Sequence, residues 1–456
     1  MTIPKTKLPR RVLLKGFDQE GHDNASAFLA SRGVEVINLP SLADMVIAGP
    51  QADAALLEKT KTGGPKAIAF DELRALLSVA TGDPSGAPSG DVDQQAYAQV
   101  LLEGEARLPI ERTATHLRVL DIELPIPTPP AEAHRSRVPA GEQFAHLCLD
   151  QPLLESLRAV ALGVRHGMPV ALEGETAASK TTAVLYLAHL LGQPAVRLNL
   201  HGHSDASELV GRYVPSEQGK STWRFQEGYL PQAMRHGWWL LLDEVNLAET
   251  QVLERLNCAL ETPPSLILSE GPGTDVPVAP GFRLLCTMNP SHYAGRALLS
   301  QAFIDRWGLW HQAGSPGERE VEAMLRLWVF GQHPRVITCG RAYKAGDATP
   351  VFGELQQISN IDDLVHRLAI FHHGVVLAAG GDGKVPSIGR LSKQRQSFSR
   401  RTLHNLVRMV VENIRAGVPA TPNLISDAIR DLYIGRLRDS GDRRAVQSMM
   451  VAGGLS

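Results

Sequence analysis

The feature that most constrains this 456-residue chain is the stretch HGMPVALEGETAASKTTAVL. An apolar run ends at Gly174, a tight polar turn follows, and a helix start comes next. Strand, glycine turn and helix in that order are the setting of a phosphate-binding loop, whose usual pattern is G-x-x-x-x-G-K-[ST]. Gly174, Glu175, Thr176, Ala177, Ala178, Ser179, Lys180 and Thr181 fill that pattern, with Ser179 where the second glycine belongs, and Thr182 follows directly as part of the same candidate binding loop. Such a loop works because successive backbone N–H groups and a helix N-terminus converge on anionic oxygens. Gly174 allows the turn, Lys180 supplies charge to the β- and γ-phosphates, and Thr181 offers a hydroxyl to Mg²⁺. The second glycine mainly grants conformational freedom. Ser179 is therefore expected to be tolerated with its backbone in an ordinary region, since only a positive φ penalises it. On this fragment alone, a Ser/Thr-capped helix after a strand fits equally well.

Four more pieces follow in a fixed order. WWLLLDEVN describes a buried strand ending in Asp243 and Glu244. One acid suits a metal and the other an attacking water; the bland reading is a strand meeting an acidic helix cap. GFRLLCTMNP is another apolar strand, ending in Asn289, a side chain suited to hold water beside a γ-phosphate. QAFIDRW carries Arg306, either a surface ion-pair residue or a finger for a neighbouring subunit. FSRRTLHNLVRMV starts a helix with Arg400 and Arg401, either a solvated basic turn or a γ-phosphate sensor.

With SELVGRYV and WRFQEGYLPQAMRHG between the loop and the acidic strand, residues 142–456 resemble an AAA+ ATPase of the MoxR and dynein-related (midasin-like) group. The resemblance gives Lys180 and Thr181 the Walker A role, and Asp243, with Thr181 at the metal, and Glu244 the Walker B role. It makes Asn289 sensor 1, Arg306 the finger and Arg401, in the pattern Ser399-x-Arg401, sensor 2, with Arg400 a close rival. It implies an α/β fold, a P-loop parallel-sheet domain with a helical lid. It also implies a homo-oligomeric ring, a hexamer by family habit, that uses ATP and Mg²⁺ to remodel or activate a partner protein. In the family that partner often carries a von Willebrand factor A domain. The alternative is a nucleic-acid-processing ATPase of the restriction-motor or loader type. RYVPSEQGKSTWRF and PSLILSEGPGTDVPVAPG are expected to form hairpins.

Pattern and breaker residues divide the chain. Residues 9–80 alternate short strands and helices, with strands expected in RVLLKGF, VEVINL and DMVIAG. Lys15-Gly16-Phe17 and the run Ala43–Gly49 make this segment similar to a BRCT domain, although the tryptophan usual in its last helix is missing. Lys15 stands where phosphopeptide-binding members have Ser or Thr, which favours a plain docking module. Residues 81–141 read as a partly ordered linker, bounded by TGDPSGAPSGDVD and LPIPTPPAEAHRSRVPAG, with HLRVLDIEL a strand of unassigned partner. The nucleotide-binding domain is expected over 142–312 and a helical lid over 313–456. A net charge of −2 gives no general pull toward nucleic acid or anionic membrane. The four cysteines form no C-x-x-C pair and fit a reducing compartment. No apolar run approaches the roughly 20 residues of a membrane span, so a cytoplasmic protein without membrane partners is expected.

Overall fold

The computed structural model describes backbone for 11–15, 35–36, 45–48 and 66–69, and residues 106–216, 223–268, 271, 273–290, 299–380, 388–389 and 397–455. The chain divides into two units, Met1–Glu105 with Ile337–Ala342, and Ala106–Val336 with Tyr343–Ser456.

In the first unit, β1 (Arg11–Lys15), β2 (Glu35–Val36), β3 (Met45–Ala48) and β4 (Lys66–Ala69) make a parallel sheet of order β2-β1-β3-β4. The three strands expected from the sequence are there. The fourth, KAIA, is too short for its pattern to declare itself. The two helices read at HDNASAFLASRG and FDELRALL lie outside the described residues, as does the TGDPSGAPSGDVD stretch.

The second unit opens with an antiparallel sheet of β5 (Ile110–Arg112), β6 (His116–Val119) and β7 (Ile122–Pro125). HLRVLDIEL is thus a hairpin rather than one strand. It turns at Leu120, whose φ is 54°. Leu117, Val119, Ile122 and Leu124 are buried and join the main core, so this part of the expected linker is built into the unit.

Helix α1 (Gln151–His166) is capped by Asp150, which accepts the Leu153 N–H at 3.1 Å, and stops at Gly167 in the left-handed region. Leu153, Leu154, Leu157, Val160 and Ala161 recur at helical spacing and are all buried. The strand β8 (Val170–Gly174), helix α2 (Lys180–Leu191) and strand β9 (Ala195–Asn199) come next. The hairpin of β10 (Gly211–Pro215) and β11 (Trp223–Glu227) lies where the sequence suggested one. Helix α3 (Tyr229–His236) then leads to β12 (Trp239–Asp243), β13 (Arg283–Met288) and β14 (Leu309–Ala313). Ahead of β13, Ile267 bridges Asp275 in antiparallel fashion, in the second expected hairpin.

Five of these strands form one parallel sheet of order β14-β8-β13-β12-β9. Both faces are covered, which is why the central strands read as unbroken apolar runs. Trp239, Leu241, Val170, Leu172 and Leu285 face α1 and α2. Leu240, Leu242, Ala171, Leu284 and Cys286 face α3 and the following segments. The chain leaves β8 toward β9 and leaves β13 toward β14, so the connections from these two neighbouring strands run in opposite directions across the sheet. Crevices outside the carboxyl ends of strands at such a point are where ligands bind in open α/β sheets.

The last segment packs α4 (Glu318–Phe330), α5 (Ile361–Ala378), α6 (Arg400–Arg415), α7 (Asn423–Ile429) and α8 (Ser440–Ala452) around one apolar cluster. Of the four histidines within these helices, His372 and His404 have strongly lowered pKa values. His372 is buried, with Nδ1 2.6 Å from the Tyr433 hydroxyl, and burial lowers its pKa to about 3. Burial, then His146 and Arg408, lower the pKa of His404 to about 4. Folded-state pKa values below the unfolded value mean that the unfolded chain takes up more protons. Stability is therefore full above about pH 6.5 and is lost as pH falls from there toward 4. The melting temperature should drop between about pH 7 and about pH 5. His372→Gln should lower it at neutral pH yet flatten that dependence. Identical slopes for the two proteins would show that His372 does not titrate on unfolding.

Candidate functional site

The loop between β8 and α2 is shaped by two close constraints. A Cβ on Gly174 would stand 2.5 Å from the Ala313 carbonyl oxygen, so only glycine lets β14 run against the loop. Ala177 (φ 64°) and Ser179 (φ 60°) both adopt the left-handed conformation. The expectation of an ordinary backbone at Ser179 is therefore corrected. Loop closure dictates the geometry here, and the serine takes the angles a glycine would have taken. Lys180 opens α2 with its ammonium almost fully buried. Its Nζ donates to the carbonyl oxygens of Gly174 (2.7 Å) and Glu175 (2.8 Å) and to Asn289 Oδ1 (2.9 Å). Thr176 is exposed, Ala178 is buried, and Thr182 is half-buried on the side of the helical segment.

The other residues arrive through strand register. Asp243 ends β12 and Met288 ends β13, one residue before Asn289, so both side chains emerge at the carboxyl edge beside Gly174. Asp243 Oδ1 accepts from Thr181 Oγ1 at 3.0 Å and from the Thr287 hydroxyl. Its Oδ2 accepts from Arg197 Nε at 2.8 Å and also pairs with the second nitrogen of that guanidinium. Glu244 follows in the left-handed region (φ 58°), which turns its carboxylate away from β12 toward Asn289. Asn289 Nδ2 donates to Glu244 Oε1 (2.9 Å) and Oε2 (3.2 Å), so one amide bridges Lys180 and Glu244. The Asn289 carbonyl in turn accepts from Asn246 Nδ2 at 2.8 Å.

The donor set fits Mg²⁺. A hydroxyl and a carboxylate meet at 3.0 Å, both hard oxygen ligands, as suits an ion held by one or two protein groups plus phosphate oxygens. Among the described residues, no group of three or more His, Cys, Asp or Glu side chains is placed to hold a metal by itself. In the turn after β9 the His203 N–H lies 3.1 Å from His201 Nδ1.

The arginines separate. Arg400 Nη1 donates to Ser179 Oγ at 2.8 Å, whereas Arg401 is exposed and borders the same 330 Å³ cavity with Ala177, Thr182, Trp328 and His404. Arg400, not Arg401, is the one brought to the loop. Arg306 donates to the Ala302 carbonyl at 2.6 Å and to Glu261 at 3.2 Å. It precedes β14, whose Leu309 pairs with Val170 and whose Ala313 pairs with Gly174. Arg306 thus lies at the amino edge of the sheet, opposite the loop. Sequence reasoning did not reach Arg197, Thr287 or Asp150. Thr287 lies two residues before Asn289 in the GFRLLCTMNP stretch but was given no role there, whereas Arg197 and Asp150 sit in no such pattern, and only strand register and helix packing bring them in.

Comparison with known proteins agrees with this geometry. Residues 169–307 match the family model described as AAA domain (dynein-related subfamily). The chain is 39% identical over 173 residues to midasin of Dictyostelium discoideum, covering 38% of this chain and 3% of that protein. It is 34% identical over 142 residues to the denitrification regulatory protein NirQ of Stutzerimonas stutzeri (31% of this chain, 50% of NirQ). With the aerobic cobaltochelatase subunit CobS of a Sinorhizobium species it shares 29% identity over 163 residues (34% of this chain, 49% of CobS). The chain thus spans about half the length of NirQ and CobS and a small fraction of midasin. The matched stretch runs from the strand before the loop to just past Arg306, so residues 169–307 are the part of the chain that is similar to a AAA domain of the dynein-related subfamily.

Proposed function

We propose that the protein is an Mg²⁺-dependent ATPase that works as a ring subunit to activate or remodel a partner protein. The observation that carries the chemistry is the convergence of Lys180, Thr181, Asp243, Glu244 and Asn289 at one sheet edge. Lys180, held on two loop carbonyls, meets the β- and γ-phosphates. Thr181 and Asp243 hold Mg²⁺, which when bound neutralises charge developing on the phosphate oxygens. Glu244 takes the proton of the attacking water, and Asn289 fixes both the carboxylate and that water. Arg400 is the lid arginine that reads the terminal phosphate, in preference to Arg401. Glu244→Gln should keep nucleotide binding and lose turnover by at least about two orders of magnitude. Steady-state hydrolysis at the wild-type rate in that variant would remove Glu244 from the chemistry.

One structural feature supports a ring, beside the family resemblance. A five-residue strand spans about 16 Å, so Arg306 at the amino edge is remote from its own subunit's loop. A guanidinium there serves hydrolysis only when a second subunit brings its loop to that edge. Closed rings, hexamers by the family resemblance, provide this arrangement. Arg306→Ala should bind ATP but hydrolyse it on the order of 10³-fold more slowly. Mixed with Lys180→Ala, which keeps a sound arginine beside a disabled loop, it should recover part of the turnover. Full activity of Arg306→Ala alone would reduce the residue to a surface ion pair with Glu261.

The partner is proposed on two grounds. NirQ is named as a regulatory protein and CobS as one subunit of a chelatase, roles exercised on or with other proteins. The four-stranded parallel sheet of residues 11–69 supports a separate docking module of the BRCT-like kind, with a von Willebrand A domain protein as the family's usual partner. Cutting the chain within 81–93 should leave ATPase activity largely intact while abolishing partner recruitment. A shortened protein that aggregates or fails to bind nucleotide would show one shared core instead.

A further inference from the structure

Arg400 stands at the first turn of α6, with a side chain only 11% exposed, and both terminal nitrogens of its guanidinium are engaged. Nη1 donates to Ser179 Oγ at 2.8 Å and Nη2 donates to Asp150 Oδ2 at 2.5 Å. Asp150 is 1% exposed, and its other oxygen caps α1 by accepting the Leu153 N–H. Three pieces distant in sequence therefore meet on one guanidinium: the start of α1, the phosphate-binding loop and the helical segment. A carboxylate this deeply buried is costly unless a cation and hydrogen bonds compensate it. Arg400 does so, and Glu320 and Cys148 are the other titratable groups near it.

We propose that Asp150 is a positioning residue that fixes Arg400, and that the Ser179 hydroxyl is the second anchor of the same guanidinium, so that the departure from glycine ties the helical segment to the loop. A glycine at 179 offers no side-chain acceptor and leaves Nη1 without this partner. Arg401, one residue along and exposed, takes no part. The functional consequence rests on the ATP reading given above. A guanidinium pinned beside the loop is placed to sense the phosphate that distinguishes ATP from ADP.

The test uses the full chain, with equilibrium binding of a non-hydrolysable ATP analogue and of ADP as paired probes. Asp150→Asn withdraws the charge but keeps an amide oxygen for the Leu153 N–H, and Asn caps helices as well as Asp does. Affinity for the ATP analogue should fall about tenfold, the scale expected for losing one charge-assisted partner. ADP affinity should change less than about twofold, because the guanidinium is no longer set for a group ADP lacks. Ser179→Ala should show a smaller loss of the same selectivity. The double variant should lose no more than Asp150→Asn alone, since both changes release one group. ATP and ADP affinities falling together, or losses that multiply, would overturn the proposal. Should Asp150→Asn fail to fold, Arg400→Lys takes its place, since a lysine cannot hold both anchors at once. Ser179→Ala should then add nothing to it, and an undiminished further loss would overturn the tether. A wild-type protein that binds neither nucleotide would instead sink the ATP reading. The tether is then judged by unfolding, where additive effects of Asp150→Asn and Ser179→Ala would refute it.

Discussion

The ammonium of Lys180 sets the terms for the rest of the site. A lysine with 7% exposure stays charged only if its three N–H bonds find acceptors, and here they find two loop carbonyls and the Asn289 amide. Those three contacts fix the loop against β13 as firmly as they fix the lysine. They also leave Asn289 Nδ2 to donate toward Glu244, so the lysine and the carboxylate share one amide. One crevice thereby holds a positive and a negative group, the pairing that the proposed phosphate chemistry would use.

The sheet makes that arrangement possible and also limits it. Parallel strands deliver their carboxyl ends to one edge, so Asp243 and Asn289 reach the loop without any long excursion of backbone. The same rule sends Arg306 to the far edge, since it enters β14 rather than leaving it. A single subunit thus brings Lys180, Thr181, Asp243, Glu244 and Asn289 together, while keeping that arginine away from them. Stacking subunits edge to edge is the economical way for a parallel α/β domain to unite the two ends. Strand direction supports the proposed ring alongside the family resemblance.

Much of the fold and site was legible because the signals are local. PVAL before the loop, WWLLLDE and RLLCTMN each announce a strand covered on both faces, and each carries its functional residue at the end. The hairpin at 116–125 was only half legible, because a turn through a leucine at positive φ carries no Gly or Asn signature. The choice between Arg400 and Arg401 was not legible at all. Two arginines in adjacent positions point about 100° apart on a helix, and the rotation of α6 is set by Leu403, Leu406, Val407 and Val410 packing into the cluster below. Arg197 was invisible for the same kind of reason. It stands opposite Leu241 in the β9–β12 register, and nothing in its own neighbourhood marks it as a partner of Asp243.

Ser179 shows how magnitudes decide where residue preference alone misleads. Holding a non-glycine residue in the left-handed region costs roughly 1–2 kcal/mol. A hydrogen bond from a charged donor contributes about 1.5–3 kcal/mol net, and Arg400 supplies one directly to the serine hydroxyl. The two terms are of the same size, with the balance toward serine while Arg400 is held in place by Asp150. The expectation of an ordinary backbone at Ser179 weighed only the first term. It missed that the added side chain reaches a partner more than two hundred residues away, which no local pattern encodes. A substitution that looks like decay of the loop motif is thus compatible with a working loop, because the helical segment compensates the strain that the loop imposes.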